Sequence, residues 1–360
     1  AVVSGHTMQR AGTVEAPFAS PAVQPDRYPR AVQRILDTVN RAAGLVLIPK
    51  ATSRLLLKAD NAKARTAIFA VESLMRGLED RFDGRYKPER ELAKSLEDGL
   101  GHLVDAQTNH SLMQRLGQRD LRAYWAAIMR EKRRDLRTLL RTEWLPRTAG
   151  ADKGFGHLAN AVKNEKHLVV AEKDGHVLSA EEDCAANAKM LRREAKQLFE
   201  KEGEFDFTDV DSIHELRRTC RWFAIAARAL NGAVLLVDGG EPKRFTHYLT
   251  DPASKGEFAD LPKSDRECQP VRVSRALWIG IGDVIDKLGK IKDEGEQYLA
   301  VKTALMGKRE LKEKAAHREA LRILGWDQST YDGWTRGAEA LHAEAKDLFK
   351  ALCKQLKAQQ

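Results

Sequence analysis

Cysteine is scarce in this chain and poorly placed for chemistry. Cys184, Cys220, Cys268 and Cys353 are scattered over 360 residues, and no C-x-x-C pair occurs. The zinc-knuckle and redox-dithiol patterns are therefore missing, and a reducing cytoplasm fits. Aromatic residues make up only 6% of the chain, leaving few rings on which nucleobases could stack. No apolar run approaches the roughly 18 residues of a membrane span. The N-terminal residues lack the basic, apolar, small order of a secretory leader. β-branched residues are sparse, which argues against a sheet-rich fold.

Catalytic signatures are missing as well. No P-loop is present: LWIGIGDVIDKLGK contains glycines but follows no predicted strand and lacks G-K-[ST]. There is neither an H-E-x-x-H zinc motif nor a G-x-S-x-G elbow. His102 and His110 would lie roughly 80° apart on a helix, which makes them poor co-ligands. HYLTD at 247–251 is a lone cluster in a predicted loop. The acidic residues form no metal pattern. Catalysis, a metal and a cofactor are not expected.

What is present is a basic, helix-forming composition. Ala, Leu, Lys, Arg and Glu dominate, with 42% apolar and 31% charged residues. An all-α, soluble globular protein follows. The net charge of +9 points to a polyanionic partner.

Along the chain, residues 1–27 are rich in Ala, Pro, Val, Ser and Thr without helical period, and read as a flexible tail. A first helical bundle is expected over 28–150, a glycine-containing connecting loop over 151–182, and a second bundle over 183–360. Within the first, Lys50, Arg54, Lys58 and Arg65 lie close to one helical line. The helix predicted at 118–145 carries Arg119, Arg122, Arg130, Arg133, Arg137 and Arg141 within an arc of about 100°. That stripe extends about 33 Å. Trp144 falls on the arginine side, so the helix is expected to fray or turn before it. Over 183–202, Lys189, Arg192, Arg193 and Lys196 again share one side. Residues 238–272 read as irregular, and helices resume from Val273.

The stretch Asp211–Leu230, DSIHELRRTCRWFAIAARAL, is the densest in potential chemistry. Ser212 and Glu215 have capping-box spacing, and Asp209 or Asp211 could also cap. His214, Arg217, Arg218, Arg221 and Arg228 fall within an arc of about 100°, opposite Leu216, Cys220, Phe223, Ala227 and Leu230. Cations crowd the helix N-terminus, where each costs roughly 0.3–1 kcal/mol. Glu215 can compensate internally. An external phosphate held by arginine forks is the other answer.

Leu100-Gly-His-Leu-Val-Asp105 and Leu288-Gly-Lys-Ile-Lys-Asp293 share L-G-x-[LI]-x-D in matching helical contexts, as expected of two similar bundles made by duplication. With the His214 helix, this pattern resembles the CHAD family, the conserved histidine α-helical domain. The family combines H-x-x-R-x-x-x-[KR]-x-x-R on one helix with L-G-x-x-x-D on the next, in two halves. His214, Arg217 and Arg221 fit, although Ala224 replaces a later cation. In the first half the histidine slot falls near Arg65, and the cation slots fall near Ile68, Glu72 and Met75. The resemblance implies two four-helix-type bundles flanking a basic groove that binds inorganic polyphosphate without catalysis. It also implies association with polyphosphate or polyhydroxyalkanoate granules in the cytoplasm.

The site expected on this reading comprises His214, Arg217, Arg218, Arg221, Arg228, Lys189, Arg193, Lys196, Arg130, Arg133, Arg137 and Arg141, with Arg54, Lys58 and Arg65 more loosely attached. It requires the stripes to converge on one groove. The alternative is a basic helical scaffold docking on acidic partners, granule surfaces or nucleic acid. Nucleic acid is disfavoured, because no helix-turn-helix, zinc-finger or RNA-binding sheet motif is readable.

Overall fold

The computed structural model describes residues 30–46, 60–77, 79, 87–144, 178–239, 242–249, 260–263 and 269–360. The expected tail, most of the expected connector, and Lys50, Arg54 and Lys58 lie outside the described residues.

The described chain is predominantly helical. Helix α1 (Arg30–Val46) buries Ala31, Val32, Ile35, Leu36, Val39, Ala42 and Ala43, spaced to make one apolar stripe. Helix α2 (Asp60–Gly77) buries Ile68, Val71, Leu74 and Met75 in the same way. Helix α3 (Lys87–Arg115) ends in a Schellman motif. Gly117 adopts φ +68°, with its N–H on Gln114 O at 3.2 Å and that of Gln118 on Met113 O at 3.0 Å. Helix α4 (Arg119–Leu139) runs into a π-helical turn over Leu140–Trp144. The wider turn rotates Trp144 off the arginine face, where α-helical spacing would place it, and buries it completely.

The second half comprises α5 (Ala180–Glu200), α6 (Val210–Ala229), α7 (Arg275–Arg309), α8 (Glu313–Leu324) and α9 (Gln328–Lys357). Helix α5 starts at Ala180, inside the expected connector. A capping box fixes that start: Glu182 N–H donates to Ser179 Oγ at 3.2 Å, and Ser179 N–H to Glu182 Oε2 at 2.8 Å. Helix α6 is capped by Asp209, whose Oδ2 accepts from Ser212 N–H at 3.0 Å. Ser212 is thus not the cap, and Glu215 is left to pair with Lys201 at 2.6 Å and Arg218 at 3.8 Å.

Two short strands stand where the sequence indicates none, β1 (Val234–Val237) and β2 (Val271–Ser274), paired in parallel from Val234 opposite Val271. Side chains at the end of α9 and just beyond it satisfy the other edge of β2. Gln359 accepts from Arg272 N–H at 2.7 Å and donates to Arg272 O at 2.8 Å, while Gln355 accepts from Ser274 N–H at 3.0 Å.

The buried apolar side chains of both halves form one connected cluster. Helix α2 packs against α6, and α4 against α7. Polar ties cross the same boundary. Arg34 on α1 grips Asp183 on α5 through both oxygens, at 3.1 and 2.6 Å. Arg76 on α2 pairs with the buried Glu194 on α5. Arg309 on α7 donates to Asp120 at 2.7 and 3.1 Å. Trp125 Nε1–H donates to Ala300 O at 3.2 Å.

Candidate functional site

Where α2 and α3 of the first half meet α6 and α7 of the second, the surface forms a pocket of about 210 Å³. Arg65, Arg217, Arg218, Arg221, Lys292 and His214 line it, together with the carboxylates Glu97, Asp98, Asp105 and Glu296. The α6 stripe is thus brought opposite Arg65. The lining is strongly charged but of mixed sign.

Two glycines make the close approach work. A Cβ on Gly101 would lie 2.8 Å from Arg65 Nη2, and one on Gly289 would lie 3.1 Å from Arg217 Nε. In each half, then, an arginine from one helix lies across the glycine of the L-G-x-x-x-D helix beside it. Across the boundary between α2 and α6 the Arg221 guanidinium lies 4.7 Å from the Phe69 ring centre. Arg76 stacks similarly on Trp222 at 4.2 Å.

The partners of the cations differ in kind. Arg65 Nε donates to Glu97 at 2.8 Å. Arg217 Nε donates to the neutral carbonyl of Ile285 at 3.3 Å. Glu296 stands 3.4 Å from His214 Nδ1 and 2.7 Å from Lys292. Burial alone would raise its carboxyl pKa, but the bonds from His214 and Lys292 outweigh that and hold it low. Asp105 shows the opposite balance. It keeps access to solvent at the pocket mouth, yet the crowded walls strip enough water to raise its pKa. Glu296 adds to the rise, and Arg65, Lys292 and His214 only partly oppose it.

On the other side of Arg217 and Arg221 lies a second cavity of about 840 Å³, between α1, α2, α6 and the segment Asp260–Pro262. Arg217, Arg221, Phe69 and Ile225 line both spaces. Arg41 and Arg228 join the larger one, and Arg228 Nη2 donates to Asp260 O at 3.5 Å.

The remaining expected residues are elsewhere. Lys189 and Lys196 are exposed on α5 and line neither space. Arg193 donates to the last carbonyls of α2, Arg76 O at 3.0 Å and Gly77 O at 2.7 Å, groups that a helix end leaves without partners. Arg130, Arg133, Arg137 and Arg141 on α4 line neither space, and all but Arg133 are exposed. The three stripes therefore do not converge on these two spaces. Sequence reasoning missed Arg41, Lys292 and Glu296. Lys292 and Glu296 stand one helical turn apart, a spacing that marks an ion pair but not the face it takes.

Among the described residues no cluster of His, Cys, Asp and Glu could hold a metal ion, and no helix is long and apolar enough to cross a membrane. The chain matches no protein-family model, no curated protein and no solved structure.

Proposed function

We propose that the groove between the two halves binds a linear polyanion without bond-making, inorganic polyphosphate being the ligand that the resemblance to the CHAD family favours. The observation that carries this reading is the shared wall of the two spaces. Arg217 and Arg221 stand there side by side on α6, one turn apart, facing Arg65 from the other half. A chain of phosphates threaded past them would meet guanidinium forks in succession. The ligand would act in the cytoplasm, free or at a polyphosphate or polyhydroxyalkanoate granule.

The exposed stripe of Arg130, Arg137 and Arg141 on α4 favours a second reading, a scaffold whose outer face docks on acidic partners, granule surfaces or nucleic acid.

The test is a salt titration of affinity for long-chain polyphosphate, with single-stranded DNA as competitor, on the wild type and on R217Q/R221Q. Loss of charge-assisted bonds weakens binding at least about tenfold. Unchanged affinity with unchanged helicity would remove the groove as the site. In that case, loss of binding in R130Q/R137Q/R141Q would move the interaction to α4.

A further inference from the structure

The larger cavity is built differently from the pocket beside it. Its floor is apolar: Leu45 from α1, Ala67 and Ala70 from α2, Ile225 and Ala229 from α6, and Leu261 from the segment that crosses its edge. Its cations are Arg41, Arg217, Arg221 and Arg228, and Asp260 is the one carboxylate among the described residues lining it. Thr38 and Thr66 add hydroxyls. The smaller pocket, by contrast, carries four carboxylates among its cations.

A polyphosphate has no apolar surface to set against such a floor. Apolar side chains left facing a hydrated polyanion stay in contact with water, so nothing is gained from them. Cavities for organic ligands combine a mostly apolar lining with a few convergent polar groups that fix orientation. Guanidinium forks at the rim complement one anionic head, and the floor complements an apolar body.

We propose that this cavity is a separate binding site for an amphiphilic anion, a single apolar chain ending in a carboxylate or a phosphate. The chain lies on the floor made by α2 and α6, and the head lies against Arg41 and Arg228 with Arg221 beside them. The site shares the wall of Arg217 and Arg221 with the polyanion groove, so the two ligands compete. It does not depend on the polyphosphate reading.

The test is calorimetric titration of the full chain with decanoate, decyl phosphate, decanol and inorganic phosphate, kept below micelle-forming concentrations. The two anions bind at one site. Decanol, which lacks the charge, and inorganic phosphate, which lacks the chain, each bind at least about tenfold more weakly. The preferred anion tells a fatty acid from a phospholipid-type head. Two variants separate this site from the pocket next to it. Ala70 and Arg41 line the cavity and not the pocket. A70W fills the floor and R41Q removes a cation. Each weakens decyl phosphate at least about tenfold while long-chain polyphosphate still binds as in the wild type. Equal binding of decanol and decyl phosphate would overturn the inference, as would wild-type affinity for decyl phosphate in both variants. R217Q/R221Q, at the shared wall, weakens both ligands, and loss of decyl phosphate alone in R41Q supports a cavity site separate from the polyanion site.

Discussion

Removing the Asp183 carboxylate tests how the two halves are joined. Arg34 Nη1 and Nη2 meet the two oxygens of Asp183 at 3.1 and 2.6 Å, and Asn187 Nδ2 adds a third bond at 3.2 Å. The arginine and aspartate side chains are only 10% and 3% exposed. In D183A the guanidinium stays buried without its counter-charge. Breaking such a pair from one side costs about 3–5 kcal/mol, a large part of the roughly 5–15 kcal/mol that holds a typical domain. The double change R34M/D183L removes both charges and restores apolar packing, so it should be neutral or stabilising by about 1–4 kcal/mol. Urea unfolding followed by far-ultraviolet circular dichroism gives both values. Because the core is shared across the halves, the wild type is expected to unfold in a single transition, which the same curves check. A cost in D183A below about 1 kcal/mol would place the pair among solvent-screened surface bridges and refute the argument.

Three further outcomes follow from buried groups. Burial raises the carboxyl pKa of Glu72 on α2, and Glu97 adds to the rise, outweighing Lys94, Arg76 and Arg218. The native state therefore holds the proton better than the unfolded state, and stability is lost as pH rises through the raised value. E72Q should stabilise at pH 7 and lose that advantage in acid, by urea midpoints at both pH values; destabilisation at pH 7 would mean that the charged form is the one the fold uses. His342, packed 5.3 Å from the ring centres of both Phe205 and Phe207, has its pKa lowered by burial and by Lys346, against a smaller opposing effect of Glu202. Stability present above the ordinary 6.5 is lost as pH falls through the lowered value, and H342L should abolish this part of the acid loss in thermal melts at pH 7.5 and 5.5. A Cβ on Gly280 would lie 2.8 Å from Tyr248 Cε2 and 2.9 Å from Leu348 Cδ2, and the Tyr248 hydroxyl is tied to Glu344. G280A should cost about 1–3 kcal/mol. G333A, with nothing within 4 Å, should cost nothing or stabilise.

The helices were legible because each needs only its own apolar period. The expected spans 183–202 and 211–230 fall within a few residues of α5 and α6 as observed. The strands were not legible, because Val234–Val237 and Val271–Ser274 are four-residue segments whose pairing is set by the packing of α6, α7 and α9 around them. The α6 stripe could be read from its own spacing. Its meeting with Arg65 could not, since that depends on α2 crossing α6, and the stripes on α4 and α5 have the same pattern without turning toward the groove. Charge on one side of a helix marks the side that avoids the core. Which of several such sides encloses a space is decided by the crossing of helices far apart in sequence. Arg193 illustrates the limit: its spacing marks it as a phosphate contact, and the fold uses it to close the end of α2.

The mixed sign of the pocket makes any polyanion affinity depend on its carboxylates as much as on its arginines. Asp105 is the one best placed to act. It faces Arg65 from α2, His214 from α6, and Lys292 and Glu296 from α7, and although it is exposed its pKa is raised, chiefly because the surrounding walls strip water from it. As pH falls through that raised value, Asp105 loses its charge while Arg65, Arg217 and Arg221 keep theirs, so the field at the groove becomes more positive. Under the proposed function, affinity for polyphosphate must then rise on acidification, and D105N must reproduce part of the rise at pH 7. Two like charges about 5 Å apart repel by about 3 kcal/mol at an effective dielectric constant near 20, so removing one opponent of a bound phosphate strengthens binding by a readily measured factor. D105N should also flatten the pH dependence, which separates Asp105 from His214 as its origin. A variant that binds no more tightly than the wild type at pH 7, with its helicity intact, would mean that the phosphates do not pass Asp105. The polyanion would then meet the α6 arginines on a path that avoids the α3 wall of the pocket.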